Sequence, residues 1–329
     1  MIKVGFITKP LSDGNSQRGV GVYTGELLKQ LKSQCLNSNI ELTEVTDKQL
    51  LLTNNFDIVH YPFFDLFYHT LPIVKKAKTV VTIHDVIPLE FPEHYPKGIK
   101  GRINFTLQRL ALGNVDQIIT DSLYSVNSIN RYLNIPKSKI SLTYLGKSTL
   151  INKTKTNKLK LPKDFILYVG GINWNKNIPG LIEACKRLKM PLVVVGQMGE
   201  LRKLSLDHPE LTHLKGIDLD GVTILGNIND EELSEVFSRC KVYCQPSFSE
   251  GFGLSVVHAL ACGAAVASSS SGSLPEVGWK YVTYFDPDDI SEMEKAILSA
   301  KKVPGSIAWA KSFDWEKTAE QTIEIYKNL

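Results

Sequence analysis

The 329-residue chain carries 38 Lys and Arg against 34 Asp and Glu, a net charge of +4, with 43% hydrophobic residues and 23 glycines. This composition excludes disorder, collagen and coiled coil, and the length suggests two domains of roughly 100 to 200 residues, each able to bury its own core. No uncharged apolar stretch nears the roughly 18 residues a membrane-spanning helix needs.

Met1 runs directly into an apolar stretch over 2–8 with no basic n-region, h-region or cleavage site, so a cytoplasmic location is expected. Cys35, Cys185, Cys240, Cys244 and Cys262 are odd in number and form no C-x-x-C, which reads as buried thiols in a reducing compartment. The charge is uneven, with 17 basic against 12 acidic residues over 1–147 and 21 against 22 in the remainder. Part of the excess lies where Lys97, Lys100 and Arg102 alternate with Ile99, Ile103 and Phe105. This segment is either a solvated face or a patch that meets anionic lipid, as a peripheral membrane contact, or an acidic acceptor.

Short β-branched runs alternate with helix-period segments, the signature of parallel sheets wound with crossover helices, so the class is α/β. Strands are predicted over 3–8, 40–45, 58–61, 79–83, 117–120 and 140–143, with a helix over 20–31 and Ser122 as an N-cap. A polar segment over 146–164 reads as a linker. The pattern then restarts with strands over 165–169, 192–195, 222–225, 242–245, 264–267 and 281–285, and helices over 179–188, 230–239 and 254–262. An amphipathic helix over 315–328 closes the chain, and its Ala319, Ile323 and Tyr326 need a surface to cover. The expected domains are 1–147, with the last helix packing back on it, and 148–314. Ligands of doubly wound sheets bind beyond the carboxyl ends of the strands, so an interdomain crevice is the expected active site.

Four stretches carry chemistry. After the first strand comes Arg18-Gly-Val-Gly-Val-Tyr-Thr-Gly-Glu, in which Gly19 and Gly21 let backbone approach a ligand at a helix N-terminus, or serve close helix–strand packing. A dinucleotide fingerprint does not fit, because Thr24 stands where the third glycine belongs. Next, Thr-Ile-His-Asp-Val-Ile-Pro over 82–88 puts His84 at a strand end with Asp85 available to orient its ring; a satisfied structural histidine is the alternative. His60, near another strand end, reads as an acceptor-side wall. Third, Gly170 and Gly171 make a bare turn after a strand, and Lys176 follows just before a helix, suiting a diphosphate. The fourth and most specific is Ser-Glu-Gly-Phe-Gly-Leu over 249–254, where a carboxylate, Glu250, precedes a glycine-flanked turn into a helix. The backbone from Gly251 through Phe252 and Gly253 to Leu254 can receive an anion, and Glu250 can accept sugar hydroxyl bonds.

These motifs, together with Asp-Gln-Ile-Ile-Thr-Asp-Ser over 116–122, Gly-Ser-Leu-Pro-Glu-Val over 272–277 and Phe-Asp-Trp-Glu-Lys-Thr-Ala over 313–319, resemble the retaining GT-B glycosyltransferases of family four along essentially the whole chain. The resemblance implies two Rossmann-like domains facing an interdomain cleft, a nucleotide-sugar donor bound mainly by the second, and a glycan or lipid-linked acceptor bound mainly by the first. It further implies retention of anomeric configuration, no metal or other cofactor, and no nucleic-acid partner. On that reading Lys176 and the backbone of Gly253 and Leu254 hold the diphosphate, Glu250 meets the donor sugar, and His84 lines the reacting centre. The sugar reads as mannose or glucose. Two positions depart from the family pattern: His258 stands where a second glutamate holds ribose hydroxyls, and Asn175 where a basic residue is common. A neutral His258 imidazole could replace that glutamate in part, with its contact weakening below its ordinary pKa of about 6.5. A catalytically degenerate GT-B nucleotide-binding or scaffold subunit, and a sugar-nucleotide epimerase, are the competing readings.

Overall fold

The computed structural model describes residues 1–12, 19–36, 38–46, 55–147 and 158–329. Packing divides the chain into two units, Met1–Gly146 with Asp314–Leu329, and Lys147–Phe313. Arg18 and residues 148–157 of the expected linker lie outside the described residues.

The first unit is built on strands Ile2–Ile7 (β1), Ile40–Val45 (β2), Ile58–Tyr61 (β3), Lys78–Thr82 (β4), Gln117–Thr120 (β5) and Ile140–Leu142 (β6), in the order β2-β1-β3-β4-β5-β6. All pairings are parallel. Every residue of β3 is buried, as expected for a central strand of a sheet covered on both faces. Val59, Val81, Ile83, Ile118, Ile129 and Ile140 form the heart of one core layer. Helix Leu123–Leu133 starts where the sequence suggests, because the Ser122 hydroxyl accepts the Ser125 amide at 3.0 Å. The run over 98–113, where cations alternate with apolar residues, is a sixteen-residue helix, Gly98–Gly113. The final helix, Trp315–Asn328, buries Trp315, Ala319, Ile323 and Tyr326, and the Thr318 hydroxyl donates to the Tyr144 carbonyl at 2.6 Å.

The second unit contains Ile166–Gly170 (β7), Leu192–Gly196 (β8), Val222–Gly226 (β9), Val242–Gln245 (β10), Val266–Ser269 (β11) and Thr283–Phe285 (β12), in the order β12-β11-β10-β7-β8-β9 and again all parallel. Its β11 begins two residues later than predicted, because the Gly263 and Ala264 amides turn back to the Leu260 and Ala259 carbonyls to end the preceding helix. The last part of the expected linker is anchored: the Lys158 and Leu159 amides each donate to the fully buried Glu235 carboxylate at 3.2 Å.

In each sheet the strand order reverses once, between β1 and β3 and between β7 and β10. Those reversals are where ligands of such sheets bind.

Candidate functional site

In the second unit, the turns leaving β7 and β10 bring together two residues far apart in sequence. Lys176 ends the short turn Trp174–Lys176, and its Nζ donates to both Glu250 carboxylate oxygens, at 2.8 and 2.7 Å. Glu250 is held from other sides as well: Gln245 Nε2 donates to Oε1 at 2.9 Å and Ser247 Oγ at 2.7 Å. Its backbone carbonyl accepts from the amide and hydroxyl of Ser273, at 3.2 and 2.9 Å. Gly272 makes this close approach possible, since it has φ +63° and a Cβ there would lie 2.6 Å from the Glu250 nitrogen. Glu250 is only 8% exposed, so four charge-assisted bonds offset the cost of burying it.

Gly170 ends β7, and the Tyr168 hydroxyl donates to the Gly171 carbonyl at 2.7 Å, fixing that turn. After Gly251 and Phe252, Gly253 takes a left-handed conformation at φ +97° and starts helix Leu254–Ala261, whose first turn no side chain caps. Such an end favours an anion.

Phe252 is buried with its ring edge-on to Phe313 at 5.6 Å, so its side chain belongs to the core and only its backbone borders the turn. Asn175 is also buried; its Nδ2 donates to the Ser249 carbonyl at 2.9 Å, tying the two turns together. One expectation in this unit is corrected. His258 lies inside the same helix, and burial, then the Lys147 charge, lowers its pKa to about 3, so it does not titrate near 6.5.

In the first unit, His84 follows the carboxyl end of β4. Its Nδ1 lies 2.6 Å from Asp121 Oδ2, just beyond the end of the neighbouring β5, and the Tyr23 ring meets it edge-on at 4.7 Å. Asp85 is therefore not the orienting group; its Oδ1 accepts the Ile87 amide at 3.1 Å. Burial alone would lower the His84 pKa, but the Asp121 charge and hydrogen bond, with Asp85 and the Pro62 backbone, together raise it. Burial raises that of Asp121, with His84 opposing. Oδ1 of Asp121 is buried without a hydrogen-bond partner among the described residues, and the Pro62 backbone lies against the His84 imidazole.

His60 is not an acceptor wall. It is fully buried, with Nδ1 2.6 Å from the Tyr326 hydroxyl and Nε2 2.9 Å from Thr82 Oγ1, which in turn lies 2.9 Å from the Tyr23 hydroxyl. Burial and the nearby His84 lower its pKa to about 3, so it is a neutral link between the sheet and the final helix. Gly19 and Gly21 lie within the first turn of helix Gly19–Cys35, at its N-terminus. Among the described residues a Cβ on Gly19 would meet nothing within 4 Å, so no close packing there requires that glycine.

Two family models match the chain: Glycosyltransferase Family 4 over residues 44–148 and Glycosyl transferases group 1 over residues 151–322, the latter more than half of the sequence. The chain belongs to the glycosyl transferases group 1 family. The O-antigen chain mannosyltransferase B of Escherichia coli is 29% identical to it over 279 residues, 78% of this chain and 71% of that protein. The serotype-specific mannosyltransferase WbdA of the same organism is 29% identical over 77% of this chain, which spans only 34% of that longer relative. Among solved structures, sucrose-phosphate synthase from Thermosynechococcus elongatus superposes with a TM-score of 0.71 at 18% identity, covering 100% of this chain and 99% of that one. HepE from Anabaena, in complex with UDP and glucose, does so at 0.69 and 17% identity over all of both chains. The fold of this glycosyl transferases group 1 member is thus GT-B, two Rossmann-like α/β units.

Asp121, Gln245, Ser247 and Ser273 are the polar groups of the two clusters that sequence reasoning did not assign. For Asp121 a signal existed: it directly follows a strand that consecutive parallel winding places beside the strand before His84. Ser273 stands in the quoted motif over 272–277, but nothing there linked it to Glu250, to which the turn at Gly272 brings it.

Proposed function

We propose that the chain transfers a hexose, mannose or glucose, from a nucleoside diphosphate sugar to a surface-glycan or lipid-linked acceptor, with retention of configuration and without a metal. The observation that carries this reading is the Lys176–Glu250 pair at the carboxyl edges of adjacent strands where the second sheet reverses. Family membership, relatives named as mannosyltransferases and a structural neighbour holding UDP support it.

In this reading the diphosphate meets Lys176 and the uncapped helix start after Gly253, while the Glu250 carboxylate accepts hydroxyl bonds from the sugar. Charge grows on the leaving diphosphate in the transition state, where a fixed ammonium and backbone amides stabilise it. The C1–O bond to the diphosphate breaks, the acceptor oxygen bonds to C1 on the same face, and the acceptor proton passes to the leaving phosphate. His84, whose charged form Asp121 favours, serves as a hydrogen-bond donor to the reacting centre, not as a base.

The test is to incubate the protein with a panel of nucleotide sugars, with and without a chelator, and to follow the anomeric configuration of any product by NMR. Retention with a GDP- or UDP-hexose in the presence of chelator is the expected result. An inverted product, or transfer only without chelator, would overturn the corresponding part; nucleotide binding without turnover would identify a degenerate subunit.

A further inference from the structure

Helix Gly98–Gly113 buries Ala111 and Leu112 but turns three aliphatic side chains outward. Ile99, Ile103 and Leu110 are 81%, 57% and 59% exposed. At 100° per residue the three fall within about 40° of one another around the helix, with Arg102 and Arg109 along one side of the stripe and Lys100 on the other. The stretch over 67–71, which precedes β4, lies alongside the helix: Asn104 Nδ2 donates to the Phe67 carbonyl at 2.9 Å, and Gln108 bonds the Leu71 backbone at 2.9 and 3.2 Å. That stretch adds exposed Tyr68, at 72%. No acidic residue occurs over 94–115, which holds Lys97, Lys100, Arg102 and Arg109, whereas Lys75, Lys76 and Lys78 share a depression with Asp57 and Asp116.

We propose that this face docks the protein on an anionic bilayer, with Ile99, Ile103 and Leu110 entering the interface and the flanking cations meeting lipid phosphates. Protruding aliphatic side chains on a convex helix, bordered by cations of one sign, suit a headgroup layer. A second copy is disfavoured, because a two-fold contact would set cation against cation. The inference rests on the proposed lipid-linked acceptor only for its purpose, and its test uses neither donor nor acceptor.

The full chain is mixed with vesicles of phosphatidylcholine, with and without phosphatidylglycerol, and bound protein is measured by flotation. Binding to the anionic vesicles alone, weakened by salt, is expected. Arg102→Gln with Arg109→Gln should reduce it about fivefold per cation removed, and Ile99→Glu with Ile103→Glu should abolish it. All four side chains are exposed, so circular dichroism and thermal midpoint should stay at wild-type values. Equal binding to neutral vesicles, no binding to either, or variants that bind as wild type would overturn the proposal. So would wild-type dimers in ultracentrifugation that Ile103→Glu dissociates, which would assign the face to self-association. Failure of transfer with intact vesicle binding would instead count against the proposed reaction alone.

Discussion

Asp121 Oδ2 lies 2.6 Å from His84 Nδ1, while the sequence neighbour Asp85 turns to the Ile87 amide. The orienting carboxylate therefore comes from the next strand of the sheet, and it engages Nδ1, leaving Nε2 as the imidazole nitrogen that Asp121 does not hold.

Asp121→Asn keeps the size of the side chain but removes the charge that opposes desolvation of the imidazole. The His84 pKa, raised in the wild type, should then fall below its ordinary value. Loss of a charge-assisted bond is worth about 1.5 to 3 kcal/mol, so transfer should fall roughly 10- to 150-fold if His84 acts in its charged form. NMR of the ¹⁵N-labelled imidazole across pH reads the first effect, and the pH profile of turnover the second. A His84 pKa unchanged in the variant would remove Asp121 from this role.

Lys176 and Glu250 should behave as a coupled pair. Because Glu250 is nearly inaccessible, Lys176→Ala leaves a buried carboxylate supported only by Gln245 and Ser247, and both stability and donor affinity should drop. A donor-affinity loss of roughly 10- to 150-fold is expected by calorimetry. Glu250→Gln should also lower the thermal midpoint, since it removes the charge that Lys176 meets. A double-mutant cycle in urea should give a coupling of about 1 to 3 kcal/mol, and additive effects would show that the pair contributes nothing as a unit.

The alternation of β-branched runs gave away the two wound sheets, because strands buried on both faces must be apolar throughout. Lys176, Glu250 and His84 were legible because glycines and strand ends mark where backbone opens to a ligand. What the sequence withheld was partnership across the sheet. Nothing local tells that His60 faces Tyr326, 266 residues away, so a histidine at a strand end looked like a site residue when it is a core link. Asp85 misled for the same reason: adjacency in sequence carried more weight than adjacency of strands. The run over 98–113 was legible as cations alternating with Ile99, Ile103 and Phe105, but which of these apolar residues face outward shows only once burial is known.

Two glycines separate scaffold from ligand approach. Gly272→Ala forces a Cβ to 2.6 Å from the Glu250 nitrogen at φ +63°, so the turn carrying Glu250 must shift. The left-handed conformation alone costs roughly 1 to 2 kcal/mol, and both the thermal midpoint and turnover should fall. Gly19→Ala meets nothing within 4 Å among the described residues, so the midpoint should hold. A loss of turnover confined to that variant would mark Gly19 as a place where substrate approaches backbone; unchanged turnover would remove it from the site.

The histidines set opposite pH limbs of stability. His60 and His258 have pKa values lowered to about 3, chiefly by burial. A histidine lowered in the folded chain contributes stability that is complete above its unfolded value of about 6.5 and is lost as the pH falls toward 3. Each should add a slope approaching about 1.4 kcal/mol per pH unit within that window. His84 has the reverse sign. Its raised pKa gives stability that is complete below about 6.5 and is lost as the pH rises through the folded value, and Asp121, also raised, shares that sign. Urea denaturation between about pH 4.5 and 8.5 should therefore show stability falling on the acid side, with a weaker decline on the alkaline side. His60→Gln and His258→Gln should each flatten the acid limb, and His84→Gln the alkaline one. The slope is the readout, because Gln at a buried site can lower stability at every pH. An acid limb of wild-type slope in both His60→Gln and His258→Gln would show that neither histidine is held neutral by the fold.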